Sequence, residues 1–166
     1  MKTRIGLYGA GDIADLHCAG VKDCSGAELV GLFDIDKSKS KKKSEEYGCV
    51  SYDSSESMLS DPSIDAVFIL TPLEEHRECA INALKAGKHV LLEKPVSSKV
   101  DEIAEIRDLA NQKEKLCVPV HNYLYEDSVI RTKQLLDSGK LGNLSLIHIS
   151  EPTRRYAISY AVFCLK

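Results

Sequence analysis

Arg4-Ile5-Gly6-Leu7-Tyr8-Gly9-Ala10-Gly11-Asp12-Ile13-Ala14 reads as a short buried strand, a glycine turn and the start of a helix. Gly9, Gly11 and Ala14 fill the three small-residue places of G-x-G-x-x-[GA], and each place has a physical job. Gly9 permits a tight turn out of the strand. Gly11 has no side chain, so a diphosphate can approach the backbone. Ala14 is small enough for the helix to pack on the strand. The helix opened by Asp12 and Ile13 offers N–H groups and the positive end of its dipole to an anion. Gly9, Gly11, Asp12 and Ile13 are therefore expected to bind a dinucleotide cofactor.

The fingerprint alone is weak, because glycine pairs occur in many turns. Its surroundings strengthen it. Leu29 to Phe33 is a second apolar run, ended by Asp34. An acidic side chain at that distance from the turn is what a ribose 2′-hydroxyl needs as an acceptor. The simpler reading is a surface turn with a solvated aspartate.

Strands and helices alternate beyond this point, which predicts an α/β fold with a parallel sheet. Helices are expected over Ile13 to Lys22, Asp36 to Tyr47, Ser54 to Ser60, Leu73 to Ala86, Val100 to Lys113 and Asp127 to Ser138. Further strands are expected over Val50 to Tyr52, Ala66 to Leu70, His89 to Leu92 and Leu116 to Val120. Ala66-Val67-Phe68-Ile69-Leu70 is continuously apolar, as in a strand covered on both faces. In the fifth helix, Ile103, Ile106, Leu109 and Ala110 recur at helical spacing.

The 166 residues suit one domain, which would bury roughly 70% of its unfolded surface. A net charge of -3 gives no argument for nucleic acid or for an anionic membrane as partner. The six cysteines form no C-x-x-C and fit no zinc spacing, so no metal is expected. Cys79 and Cys117 read as small core residues. No apolar run reaches membrane-spanning length, and Met1 to Arg4 lead directly into a strand without a signal peptide. A cytoplasmic location is the expectation.

Several motifs in order make the chain resemble the Gfo/Idh/MocA oxidoreductases, a family that includes glucose–fructose oxidoreductase and inositol dehydrogenase. They are G-A-G-D-I-A from Gly9, Asp34 at the end of a strand, and D-A-V-F-I-L-T-P from Asp65 to Pro72. His76, A-L-K-A-G-K-H-V-L-L-E-K-P from Ala83 to Pro95, H-N-Y from His121 and S-G-K-L-G from Ser138 follow. The resemblance implies a Rossmann-type doubly wound parallel sheet. It also implies hydride transfer between a nicotinamide and a hydroxyl carbon of a small-molecule sugar, cyclitol or related polyol, in a homo-oligomeric parent. Lys94 is the implied catalytic residue, its ammonium hydrogen-bonding the reacting oxygen. Thr71, Pro72, His76, Glu93, Lys94 and Asn122 are implied around the cofactor, and the Lys94–Pro95 bond is implied to be cis. Structural alternatives stand beside these roles. Lys94 can be a loop lysine paired with Glu93, His76 a packed or surface histidine, and Tyr123 and Tyr125 packing residues.

Asp34 favours NAD over NADP, because a carboxylate accepts from a 2′-hydroxyl and repels a 2′-phosphate. Lys37, Lys39, Lys41, Lys42 and Lys43 oppose this only if their segment folds back. Otherwise they form the solvated face of a helix. A non-catalytic NAD-binding sensor is the alternative function, since it needs Gly9, Gly11 and Asp34 but not Lys94.

The family's second, larger α+β domain is expected just after Gly142, and its Asp-x-x-x-His pair has no counterpart in this sequence. The expected organisation is a dinucleotide-binding domain over 1–120, a connecting helix with the start of the missing domain over 121–143, and a tail over 144–166. On this reading the sheet is truncated before the substrate domain, and the chain alone is inactive. Leu144 to Arg154 resembles the in-frame translation of a transposase adapter used in preparing sequencing libraries. Ile158 to Leu165 resembles that of a second fixed adapter, with Arg155, Tyr156 and Ala157 where a sample barcode would sit. The tail is accordingly expected to be non-native, with Ile158 to Leu165 as a real strand the competing reading.

Overall fold

A computed structural model describes residues 2–142 together with the backbone of 147–149 and 161–163. The chain divides into two compact units, residues 1–120 and residues 121–166.

The first unit is built on six parallel strands. They are β1 (Thr3–Tyr8), β2 (Ala27–Phe33), β3 (Val50–Ser51), β4 (Ala66–Ile69), β5 (His89–Leu92) and β6 (Cys117–Pro119), in the order β3-β2-β1-β4-β5-β6. Five helices connect them: α1 (Ile13–Asp23), α2 (Lys37–Tyr47), α3 (Ser55–Ser60), α4 (Leu73–Lys85) and α5 (Val100–Gln112). The chain builds outward from β1 through β2 to β3, then returns to the other side of β1 with β4. That reversal leaves a crevice beyond the carboxyl ends of β1 and β4, where open α/β sheets place ligands. This is the doubly wound architecture expected.

Two apolar cores lie on the two faces of the sheet. Ile5, Leu7 and Leu32 pack with Ala14, Cys18 and Val21 of α1. Val67, Ile69, Val90 and Leu92 pack with α3, α4 and α5 through Met58, Ala80, Leu84 and Ile106. Leu7, Leu32, Ile69, Leu84 and Leu92 are fully buried, each contributing about 1.5–3 kcal/mol of apolar burial. Gly31 sits where β2 meets β3. A Cβ there would lie 2.5 Å from the Val50 carbonyl oxygen and 2.6 Å from the Tyr52 ring.

α2 is polar along its whole length, so its ends are secured locally. The Asp36 carboxylate caps it, accepting the Ser38 and Lys39 amide N–H groups, and Gly48 stops it in the left-handed conformation at φ +68°. Lys43 and Tyr47 anchor the helix to Asp15 of α1.

The elements differ from expectation mostly by a residue or two at their ends, where caps and frayed hydrogen bonds decide. β2 starts earlier, at Ala27, because Thr3 donates to the Gly26 carbonyl and extends the pairing. β6 is shorter than the apolar run Leu116 to Val120. β6 is an edge strand: Val118, and Leu116 just before the strand, are exposed, and Cys117 is half-buried, packed against the rim of the core rather than fully inside it.

The second unit contains a 3-10 turn at Asn122–Tyr125, a helix α6 (Asp127–Asp137) and an antiparallel pair β7 (Ile147–Ile149) and β8 (Ala161–Phe163). Asn122 and Tyr123 thus open a 3-10 turn, and β6 has already ended at Pro119. The adapter-like reading of residues 144–166 falls, apart from the backbone of β7 and β8, outside the described residues.

Candidate functional site: a crevice running from Asp34 to the Glu93-Lys94-Pro95 loop

The glycine turn leaves β1 and runs along the end of β4. Gly9 has φ +113°, and a Cβ on it would lie 2.9 Å from the Leu70 carbonyl oxygen. Only glycine fits there without strain. Its N–H donates to the Phe33 carbonyl at 2.8 Å, tying the turn to the end of β2. Gly11 differs, because a Cβ at this position meets nothing within 4 Å. Its lack of a side chain therefore serves open space rather than packing. Ala14 is fully buried against the sheet, as its place in the fingerprint requires.

α1 begins at Ile13 without a side-chain cap, and Ala14 donates to the Gly11 carbonyl. The N–H groups of Gly11, Asp12 and Ile13 have no partner among the described residues. Three unpaired donors at the positive end of an eleven-residue helix, beside a position stripped of its side chain, suit a diphosphate.

Asp34 follows β2 and faces this turn. One carboxylate oxygen accepts the Ala10 N–H at 2.6 Å and the other accepts the Asp36 N–H at 2.8 Å. The acid therefore stands beside the glycine turn, and each oxygen retains acceptor capacity. A cleft of about 530 Å³ is lined by Gly9, Gly11, Asp12, Ile13, Asp34, Thr71 and Pro72, with Lys39 also on its wall. Of the other lysines beside it in sequence, Lys37 pairs with Asp53 and Lys43 with Asp15.

A second cleft of about 310 Å³ shares Ile13, Leu70 and Thr71 with the first and continues to His76, Glu93, Lys94 and Pro95. The crevice thus runs from Asp34 to Lys94. Glu93 does not hold the Lys94 ammonium. It accepts the Lys94 backbone N–H at 3.0 Å and pairs with His17 at 3.0 Å. The Lys94–Pro95 peptide is cis. His76 is buried, with Nδ1 2.8 Å from the Pro95 carbonyl oxygen and Nε2 2.9 Å from that of Thr71.

Ten of the eleven residues expected around a cofactor line these two clefts. The eleventh, Asn122, belongs to the second unit. His17 was not anticipated. Only its place on α1, on the face toward β4, could have drawn attention to it.

The Asp34-flanked glycine turn, opening on a crevice at the strand-order reversal, defines a dinucleotide-binding α/β unit. Residues 3–121 match the Gfo/Idh/MocA oxidoreductase family, described by its NAD-binding Rossmann fold, and the chain belongs to that family. It is 31% identical over 146 residues to glucose-6-phosphate 3-dehydrogenase of Bacillus subtilis, covering 88% of this chain and 41% of that relative. It is 26% identical over 164 residues to inositol 2-dehydrogenase of Gluconacetobacter diazotrophicus, covering 96% of this chain and 49% of the relative.

Among solved structures, an NAD-binding protein from Listeria innocua superposes with TM-score 0.78 at 30% identity, covering 87% of this chain and 43% of that one. The WlbA dehydrogenase of Chromobacterium violaceum, in complex with NADH and UDP-GlcNAcA, gives TM-score 0.80 at 27% identity over 87% and 42% of the two chains. The chain spans less than half the length of each of these four proteins.

Proposed function

We propose that this chain is the cofactor-binding part of an NAD-dependent oxidoreductase acting on a hydroxyl of a sugar, cyclitol or related polyol. The observation that carries the reading is the Asp34 carboxylate on the Ala10 N–H, directly beside the uncovered Gly11 backbone. The partnerless N–H groups of Gly11, Asp12 and Ile13 would hold the diphosphate, and Asp34 the adenosine ribose. When bound, the nicotinamide supplies the hydride acceptor or donor.

The chain's own chemistry centres on Lys94. Its ammonium is a three-proton donor at the far end of the crevice from Asp34. It would hydrogen-bond the reacting oxygen and stabilise negative charge developing there. Thr71, Pro72 and Ile13 form the wall between the two ends. NAD is preferred over NADP because Asp34 would repel a 2′-phosphate. Lys39 is the nearest candidate to offset that repulsion.

Relatives that share this part of the chain are dehydrogenases of a sugar phosphate and of inositol, which supports the substrate class. We place the substrate pocket and its proton acceptor in the longer parent, outside these residues, so the chain alone would have negligible turnover. Free thiols at Cys18, Cys24, Cys49, Cys79 and Cys117 agree with a reducing, cytoplasmic setting. Among the described residues no helix is long and apolar enough to cross a membrane. We read the parent as a homo-oligomer, and the 144–166 tail as adapter-derived. Sequencing the locus by an independent method tests the tail, and a natural gene encoding Leu144 to Lys166 would defeat that reading.

Titration of NADH and NADPH into the chain tests the cofactor proposal, with tighter NADH binding expected. Lys94→Ala in the full-length parent separates an enzyme from a sensor. An enzyme loses turnover and keeps cofactor affinity. A sensor keeps its function.

A further inference from the structure

Glu93-Lys94-Pro95 is gripped from two sides by histidines on different helices. From α1, His17 Nε2 lies 3.0 Å from Glu93 Oε1, and the two side chains are only 12% and 13% exposed. The His17 ring also packs edge-on against Phe68 of β4, with centroids 5.7 Å apart. The other Glu93 oxygen accepts the Lys94 N–H at 3.0 Å, and the Glu93 N–H donates to the Ile69 carbonyl at 3.0 Å.

From α4, His76 bridges two carbonyl oxygens, those of Pro95 and Thr71, at 2.8 and 2.9 Å. A carbonyl only accepts and a neutral imidazole carries one N–H, so in either tautomer one contact is a donated hydrogen bond while the other ring nitrogen still faces the second carbonyl oxygen, and neither nitrogen is turned toward a ligand. His76 therefore joins the loop to the crevice wall.

We infer that His17 and His76 are positioning residues, forming a two-sided brace that fixes the Lys94 loop relative to the diphosphate helix and the Thr71 wall. His17 lies one turn into the helix whose first N–H groups face the crevice. A helix turn transmits position with little give. The brace therefore makes the placement of Lys94 depend on α1, the element that would also hold the diphosphate. Its consequence for the cofactor rests on the function proposed above, whereas the brace itself rests on the contacts alone.

The test uses the 166-residue chain as wild type, His17→Ala, His17→Gln and Glu93→Gln. NMR measures amide hydrogen exchange at Lys94 and at core positions such as Leu7 and Val67. His17→Ala is expected to speed exchange at Lys94 about tenfold while the core rates hold. His17→Gln, whose side-chain N–H can still donate to Glu93, restores most of the protection. Glu93→Gln covers the case in which His17→Ala fails to fold, and it too is expected to speed exchange at Lys94. NADH affinity should fall severalfold in His17→Ala while ADP, which lacks the nicotinamide half, binds as before. Wild-type exchange at Lys94 in a folded His17→Ala or Glu93→Gln chain would overturn the brace. Failure of the wild type to bind either ADP or NADH would instead remove the cofactor reading, and the exchange comparison would still decide the brace.

Discussion

The Asp34 carboxylate accepts the Ala10 N–H at 2.6 Å, joining the end of β2 to the glycine turn after β1. The contact makes Asp34 a strut for the turn, and the proposed function gives it a second job as acceptor for a ribose hydroxyl. Replacing it with Ala removes both. A charge-assisted hydrogen bond contributes about 1.5–3 kcal/mol, so NADH affinity should fall about 10- to 100-fold. Calorimetric titration checks this. NADPH binding should fall less, because the repulsion of a 2′-phosphate disappears with the carboxylate.

Gly9 and Gly11 are two residues apart, yet their substitutions should act differently. Gly9→Ala combines φ +113° with a clash on the Leu70 carbonyl, and should lower folding stability by about 1–3 kcal/mol or more. Gly11→Ala meets nothing within 4 Å. It should leave the denaturant midpoint nearly unchanged while weakening NADH binding at least tenfold, since the new methyl group would enter the space proposed for the diphosphate.

Lys88 is 7% exposed, and its ammonium donates to the carbonyls of Asp61 at 2.7 Å and Ile64 at 2.8 Å. These bonds close the loop between α3 and β4. Burial lowers its pKa, while Asp61 and Asp65 oppose that shift. Lys88→Met preserves the apolar stem and strands both carbonyls, at a cost of about 1–3 kcal/mol for each left unsatisfied. Urea denaturation measures the loss. Cofactor affinity should not follow it, because neither cleft includes Lys88.

Acid should unfold the first unit through Asp61 and Asp65. The Tyr52 hydroxyl, followed by Ser63, brings Asp61 down to about 2 from the ordinary 3.8. The Arg4 guanidinium holds Asp65 well below the same value. Both folded values are depressed, so the stability they contribute is present above the unfolded value and is lost as pH falls through the folded ones. Thermal midpoints should be flat from about pH 5 to 8 and drop between about pH 4 and 2. Asp65→Asn should lower the midpoint at neutral pH and make the acid limb shallower.

The sheet was legible in the sequence because its strands are short apolar runs separated by helical periods, and β1 through β5 fall where those runs lie. Gly9, Gly11 and Asp34 were legible because a tight turn, an open approach and an acceptor each restrict residue type. The brace was not, since His17 and Glu93 are 76 residues apart and only the doubly wound topology brings them together. Lys88 reads as a charged residue at a strand entrance, and nothing local reveals the two carbonyls above it. Cys117 looked buried because apolar runs do not say which strand lies at an edge. Asn122 follows a strand in sequence but opens a 3-10 turn, a choice set by local hydrogen bonds that periodicity does not register.

The most direct measurement is calorimetric titration of NADH into the folded 166-residue chain, with Gly11→Ala and Asp34→Ala as controls. Saturable one-to-one binding, weakened by both substitutions while the chain stays folded, is the predicted result. A folded wild-type chain that takes up no NADH at millimolar concentration, or one whose binding ignores both substitutions, would contradict the account.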